Sequence, residues 1–201
     1  MMEKSPAALA NEPSPASMWV KRWTHLLAPG ATVLDIACGG GRHMQWFAQR
    51  GHTVTGLDRS AQALEAAANF GPVVLADVEN HPWPLVENGQ VRRFGAVILT
   101  NYLWRPLFPT IVQSLEPDGV LIYETFSQGN ETVGKPARAD FLLRSSELLW
   151  AFSELHIIAF EEGFLEDPAR FVQRIAAVRP DPGTPPGQRP RRHALDFKQS
   201  R

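Results

Sequence analysis

The residues best suited to chemistry lie in one run, Asp35-Ile36-Ala37-Cys38-Gly39-Gly40-Gly41, followed at once by Arg42 and His43. An apolar strand, Thr32 to Ile36, feeds straight into the glycines, and a helical pattern begins where they end. Glycine serves where the backbone must turn tightly or approach a ligand with no Cβ in the way. A strand that runs through glycines into a helix N-terminus presents backbone N–H groups to a bound molecule. The next strand, Thr53 to Leu57, ends in Asp58, whose two carboxylate oxygens can accept both hydroxyls of a ribose. Asp77, in Ala76-Asp77-Val78, follows the third strand, and Thr100-Asn101 follows the fourth.

Alternating strands and helices position these residues. Apolar spacing in Ser17 to Leu27 predicts a helix, which Pro29-Gly30 stops. The first strand is followed by a helix over about 41–50, with Gly51 as its C-cap, and then by the strand 53–57. Ser60 is a suitable N-cap for an Ala-rich helix through Phe70. A third strand, Pro72 to Leu75, leads to a polar stretch ending at Arg93, and a fourth strand spans Ala96 to Thr100. A helix from Pro106 to Leu115, a turn at Pro117-Asp118-Gly119 and a fifth strand, Val120 to Thr125, come next. Ser145 is read as the cap of a helix to about Phe152, and Leu155 to Phe160 with Phe171 to Val178 as a hairpin. Such alternation predicts a parallel sheet covered by helices on both faces. The segments 1–15 and 180–201 are read as unstructured, flanking one domain over 16–179.

Composition narrows the class. The 201 residues carry a net charge of −1 and one cysteine, Cys38. A domain of this size can bury roughly 70% of its unfolded-chain surface without a disulfide or metal staple. The charge balance gives the whole molecule no electrostatic footprint for nucleic acid or membrane. One cysteine excludes an intrachain disulfide, and a cytoplasmic location is the simplest reading. No apolar run is long enough to span a bilayer, and scattered histidines predict no metal site.

Glycine spacing separates two cofactor classes. The dinucleotide fingerprint G-x-G-x-x-G would place its third glycine at Met44, so it is broken. The run instead resembles the acid-x-G-x-G-x-G motif of class I S-adenosylmethionine-dependent methyltransferases, with Ala37 where the first glycine is usual. The likeness covers about residues 30–126. It implies an α/β, Rossmann-like, seven-stranded sheet, mostly parallel with one antiparallel strand supplied by Phe171 to Val178. It also implies S-adenosyl-L-methionine as cofactor. Asp35 would then hold the methionine amino group, the backbone at Ala37, Gly39 and Gly41 would line methionine and ribose, and Arg42 would meet the methionine carboxylate. Asp58 would take the ribose and Asp77 the adenine amino group, while Thr100 and Asn101 would pass the cofactor sulfur. Lean architecture and the segment Phe141-Leu142-Leu143-Arg144 before a helix resemble the tellurite-resistance and thiopurine methyltransferase branch.

Methyl transfer from a sulfonium is an in-line displacement whose reactive charge arrives with the cofactor, so the protein mainly aligns the acceptor and excludes water. No catalytic residue is therefore assigned; Tyr102, Arg105, Tyr123, Glu124 and His43 are the candidates. Thr100-Asn101-Tyr102-Leu103-Trp104-Arg105 lacks the Asn/Asp-Pro-Pro-Tyr/Phe signature of many amino-group methyltransferases, which lowers a base-modifying reading, and a short core read as having no appended recognition domain favours a small-molecule acceptor. Arg105 is read as a clamp for an anionic acceptor, and 127–144 as a lid made positive by Lys135, Arg138 and Arg144. Two other readings stand beside this one: an RNA or protein methyltransferase recruited by Arg189, Arg191 and Arg192 of the tail, and a cofactor-binding partner protein without catalysis.

Overall fold

A computed structural model describes residues 14–183 and 192–195. The readings of 1–13, 184–191 and 196–201 as unstructured fall outside the described residues. Ser17 caps helix α1 (Met18–Trp23) by accepting from the Trp19 N–H, and a short 3-10 turn, Thr24–Leu26, follows. Next come β1 (Thr32–Ile36), α2 (Arg42–Ala48), β2 (Thr53–Asp58), α3 (Ala61–Ala67) and β3 (Val73–Leu75). Ser60 does cap α3, through the Ala63 N–H. The polar stretch before Arg93 contains a small hairpin, β4 (Val86–Glu87) and β5 (Gln90–Val91), turned by Asn88-Gly89 at positive φ. The remaining elements are β6 (Phe94–Thr100), a 3-10 turn (Arg105–Leu107), α4 (Phe108–Gln113), β7 (Leu115–Phe126), α5 (Glu147–Ala151), β8 (His156–Glu166) and β9 (Ala169–Val178).

Seven strands form one sheet in the order β3-β2-β1-β6-β7-β9-β8. The first five are mutually parallel, and β9 runs antiparallel to both of its neighbours. Because side chains alternate across a strand, the apolar residues divide into two cores. Leu34, Ile36, Val97, Leu99, Leu121 and Tyr123 face α4 and α5, while Val33, Ala96, Ile98 and Ile122 face the packed residues of α1, α2 and α3. Burial on both faces explains the continuous apolar runs in β1 and β6.

Two local expectations need correction. Pro117-Asp118-Gly119 is a kink within β7, not a turn before it. The Asp118 N–H donates to the Arg179 carbonyl and the Arg179 N–H to the Gly119 carbonyl, so strand pairing with the end of β9 carries through the kink. Ser145 does not cap α5. The N-cap is Ser146 at φ 59°, and the Ser146 N–H and Ser145 hydroxyl both donate to Glu162 on β8, so the helix start is held by a neighbouring strand.

Gly41 shows why the glycine run is needed for packing as well as for ligand access. It has φ 82°, and a Cβ there would lie 2.8 Å from the Ala67 Cα. Gly41→Ala is expected to cost roughly 1–3 kcal/mol, from left-handed strain plus displacement of α3 from α2. Urea unfolding checks this, and an unchanged midpoint would contradict the close approach.

Candidate functional site

The carboxyl ends of β1, β2, β3, β6 and β7 meet along one edge of the sheet, the side on which open α/β sheets hold ligands. Two adjoining cavities lie there and share Ala37, Asn101 and Tyr102 as lining. One, of about 290 Å³, runs from Asp58 and Asp77 past Tyr102 to Phe126, Pro136 and Phe141. The other, of about 470 Å³, lies over Gly39, Gly40, Arg42, His43 and Thr100 and is bordered by Ser14.

The loop from β1 to α2 alternates through left-handed backbone at Ala37 (φ 54°), Gly39 (φ 53°) and Gly41. An L-residue pays about 1–2 kcal/mol for such a conformation, so Ala37 is a strained residue at the shared wall of both cavities. Asp58 locks this loop to β2, since its Oδ2 accepts the Gly39 N–H at 2.8 Å and its Oδ1 accepts the Ser60 N–H at 2.9 Å. A carboxylate has about four acceptor sites, so two remain. Asp77 forms a tight turn, accepting from the Glu79 N–H and the Asn80 amide; those bonds hold its pKa below the usual range.

Asp35 is buried at the end of β1, and its Oδ2 has no hydrogen-bond partner among the described residues. Burial raises its pKa to about 8, against the opposing pull of Arg42. The facing side chain, His43, is also buried. Its Nε2 accepts the Ser17 N–H, which leaves the proton on Nδ1, 3.9 Å from Asp35. Burial lowers the His43 pKa to about 3, with Arg42 adding to the effect, so the imidazole is neutral at ordinary pH. Arg42 donates to the Thr100 hydroxyl at 3.1 Å. Asn101 stands at φ 56° at the mouth, its N–H bonded to the Glu124 carbonyl.

The candidates for acid–base work separate clearly. Tyr102 lines both cavities, with burial first and Glu79 second raising its phenol above the ordinary range. Tyr123 is enclosed in the core and donates to the Tyr102 carbonyl; burial pushes its pKa up as well. Glu124 is buried, accepts from the Ser17 hydroxyl, and pairs with Arg170 and Arg174, which makes it a charge anchor. Trp104 packs against the core.

Arg105 is not placed as a clamp for an acceptor. It grips Glu147 at 2.6 and 2.9 Å and donates to the Asp140 and Leu142 carbonyls, so it ties 139–142 to α5. Arg105→Met is expected to cost roughly 1–2 kcal/mol at this partly exposed site, because Glu147 keeps only the Arg144 N–H and the Asp140 and Leu142 carbonyls lose a donor. Hydrogen exchange over 138–147 would report it; unaltered protection would dismiss the tether.

The 127–144 segment is ordered by its own contacts. Asn130 donates to the Pro136 carbonyl and accepts the Phe171 N–H, and Leu143 bridges to Ser127. Of the cations expected to face a ligand from it, Arg138 is exposed, paired with Asp140 and stacked on Phe141. Sequence reasoning missed Ser17, Arg170 and Arg174. Arg174 stands opposite both Glu124 and Glu161 in register, a row of alternating charge across three adjacent strands. Among the described residues, no cluster of three or more His, Cys, Asp or Glu is placed to hold a metal ion, and no helix is long and apolar enough to cross a membrane.

This sheet order and glycine cradle define the class I methyltransferase fold. A family model described as a methyltransferase domain matches residues 33–119. The chain is 25% identical over 115 residues to a ubiquinone biosynthesis O-methyltransferase of Pasteurella multocida, covering 49% of this chain and 48% of that protein. It is 51% identical over 41 residues to an uncharacterised methyltransferase of a Synechocystis strain, covering 20% and 19%. The chain thus spans half or less of the length of these curated relatives. The crystal structure of TehB from Haemophilus influenzae superposes with a TM-score of 0.64 at 15% identity, over 80% of this chain and 61% of that one. Residues 33–119 thus match a methyltransferase domain, and the chain has the class I methyltransferase fold. That family implies S-adenosylmethionine as methyl donor, and the residues fit it: an unpartnered buried carboxylate oxygen on Asp35, spare acceptor sites on Asp58, and a cavity continuing past Asp77.

Proposed function

We propose that the protein transfers a methyl group from S-adenosylmethionine to a small, anionic acceptor. The observation that carries this reading is the rigid junction of cradle and acid. The Gly39 N–H donates to Asp58 at 2.8 Å, and Asp58, whose two carboxylate oxygens each keep a further acceptor site, lines the cavity where a ribose diol would sit. When bound, S-adenosylmethionine supplies an electrophilic methyl group on a sulfonium. Asp35 supplies the acceptor for the methionine ammonium, Arg42 a cation for its carboxylate, and Asp77 an acceptor for the adenine amino group. Tyr102, Phe126, Pro136 and Phe141 exclude water from the acceptor side, so positioning and desolvation are the chain's contribution.

A cavity of only about 290 Å³, lined on one side by Pro136 and Phe141, supports a small acceptor over a nucleic acid strand. The described tail residues support it too. The Ala194 carbonyl bonds His25, and 192–194 border a cavity with Glu116 to Gly119, where β7 begins, at the sheet edge opposite the cradle. Deletion of 180–201 is expected to leave small-molecule turnover intact; loss of turnover on RNA or protein alone would favour the recruited-macromolecule reading. The primary test is calorimetric titration with S-adenosylhomocysteine, with NADH as control, followed by labelled methyl transfer to an acceptor panel. Binding of NADH alone would overturn the proposal, and cofactor binding with no transfer to any acceptor would favour a non-catalytic binding protein.

A further inference from the structure

One cation beside the cradle is held far more loosely than its neighbours. Arg174 grips Glu161 at 2.6 and 2.8 Å. Arg170 reaches Glu124 only at 3.4 Å and Asn101 only at 3.5 Å, the outer edge of hydrogen-bonding distance. Its Nε–H is buried and has no acceptor among the described residues. A buried guanidinium donor left unpaired is costly, and such exceptions in a folded protein call for an explanation.

Charge arithmetic and register point the same way. Arg22, Glu161, Arg174, Glu124 and Arg170 form one linked chain of ion pairs, with three guanidinium charges against two carboxylates. The surplus positive charge falls at the weakly bonded end, Arg170. Phe126, at the end of β7, pairs with Val172, so Arg170 lies just past that pair, where the β8–β9 hairpin extends beyond the carboxyl edge of the sheet. Its partner Asn101 lines both cavities.

We infer that Arg170, beside the cavity-lining Asn101, is a specificity-determining residue that turns its loosely held Nη1 and Nη2 groups to a carboxylate on the methyl acceptor, whose apolar body lies against Phe126 and Phe141. A planar fork with one surplus charge matches a monocarboxylate, which accepts two parallel N–H bonds from arginine. This assignment rests on the methyl-transfer reading above and moves the anion-binding role from Arg105 to the hairpin.

The test uses the full chain with Arg170→Lys, Arg170→Gln and, as a surface control, Arg138→Gln. Each protein is first titrated with S-adenosylhomocysteine. The saturated proteins are then titrated with benzoate, phenylacetate, cinnamate and hexanoate, with the primary-amide twin of each, and with sulfate. At least one acid is expected to bind, with its amide at least tenfold weaker. Arg170→Lys keeps the charge beside Glu124 but lacks the fork. It should weaken the acid tenfold or more while changing S-adenosylhomocysteine affinity less than twofold. Equal binding of acid and amide, equal binding of sulfate, wild-type acid affinity in Arg170→Lys, or no acid binding at all would each overturn the assignment. Failure of the wild type to bind S-adenosylhomocysteine would instead remove the methyl-transfer reading, and this assignment with it.

Discussion

Asp58→Ala is expected to weaken S-adenosylhomocysteine binding by at least about a hundredfold. Each charge-assisted hydrogen bond to a ribose hydroxyl is worth about 1.5–3 kcal/mol, so two correspond to about 3 kcal/mol or more. The loss does not stop there. The same carboxylate holds the Gly39 and Ser60 N–H groups, so its removal also unlocks the cradle from β2. Asp58→Asn keeps one acceptor oxygen and should fall between wild type and Asp58→Ala. Calorimetric titration of the three proteins checks the order, and unchanged affinity in Asp58→Ala would refute the ribose assignment.

The second large effect concerns Asp35, where stability and ligand binding pull in opposite directions. Burial, opposed by Arg42, raises its folded-state pKa from 3.8 to about 8. A carboxyl group raised in this way contributes stability that is fully present below pH 3.8 and is lost as the pH rises through about 8. Above that window the protein holds a buried carboxylate with one oxygen that has no hydrogen-bond partner among the described residues. Asp35→Asn removes the penalty and is expected to stabilise the ligand-free protein at pH 9 by on the order of a few kcal/mol. The same change should abolish tight binding of an amino-acid ammonium, because that cation needs the ionised form. In the wild type, affinity should climb from pH 6 to pH 8, by up to roughly fiftyfold if only the carboxylate binds. Thermal unfolding and calorimetry across pH 6–9 measure both halves. A flat affinity profile in the wild type would remove Asp35 from the ligand contacts. His43 does not confuse the reading, since its pKa of about 3 keeps it neutral throughout.

These two acids also show how far the chain could be read without coordinates. Asp35 and Asp58 stand in the last two positions of their strands and Asp77 just past β3, and short-range pattern was enough to place all three at the carboxyl ends of strands. Ser60 as the cap of α3 and Phe171 to Val178 as part of the antiparallel strand were legible for the same reason, being local or periodic features. The kink at Asp118 was not, because its backbone partner is Arg179. Nor was the start of α5, which Glu162 holds from β8. A local turn signal loses when a distant strand offers better backbone bonds.

Arg105 and Arg170 carry the same lesson into the site. Arg105 follows the fourth strand directly and was the natural anion clamp, yet Glu147 and two loop carbonyls consume its donors. Arg170 carried no motif, yet the long hairpin brings it beside the cavity-lining Asn101, with its Nη groups held only at 3.4 and 3.5 Å. By itself the sequence determined the sheet class, the cradle and the acids at the strand ends, because hydrophobic period and glycine placement are set by neighbouring residues. Only the tertiary structure decided which charges are spent on one another and which remain for a ligand, because ion pairs join residues far apart in the chain and burial sets what an unpaired charge costs.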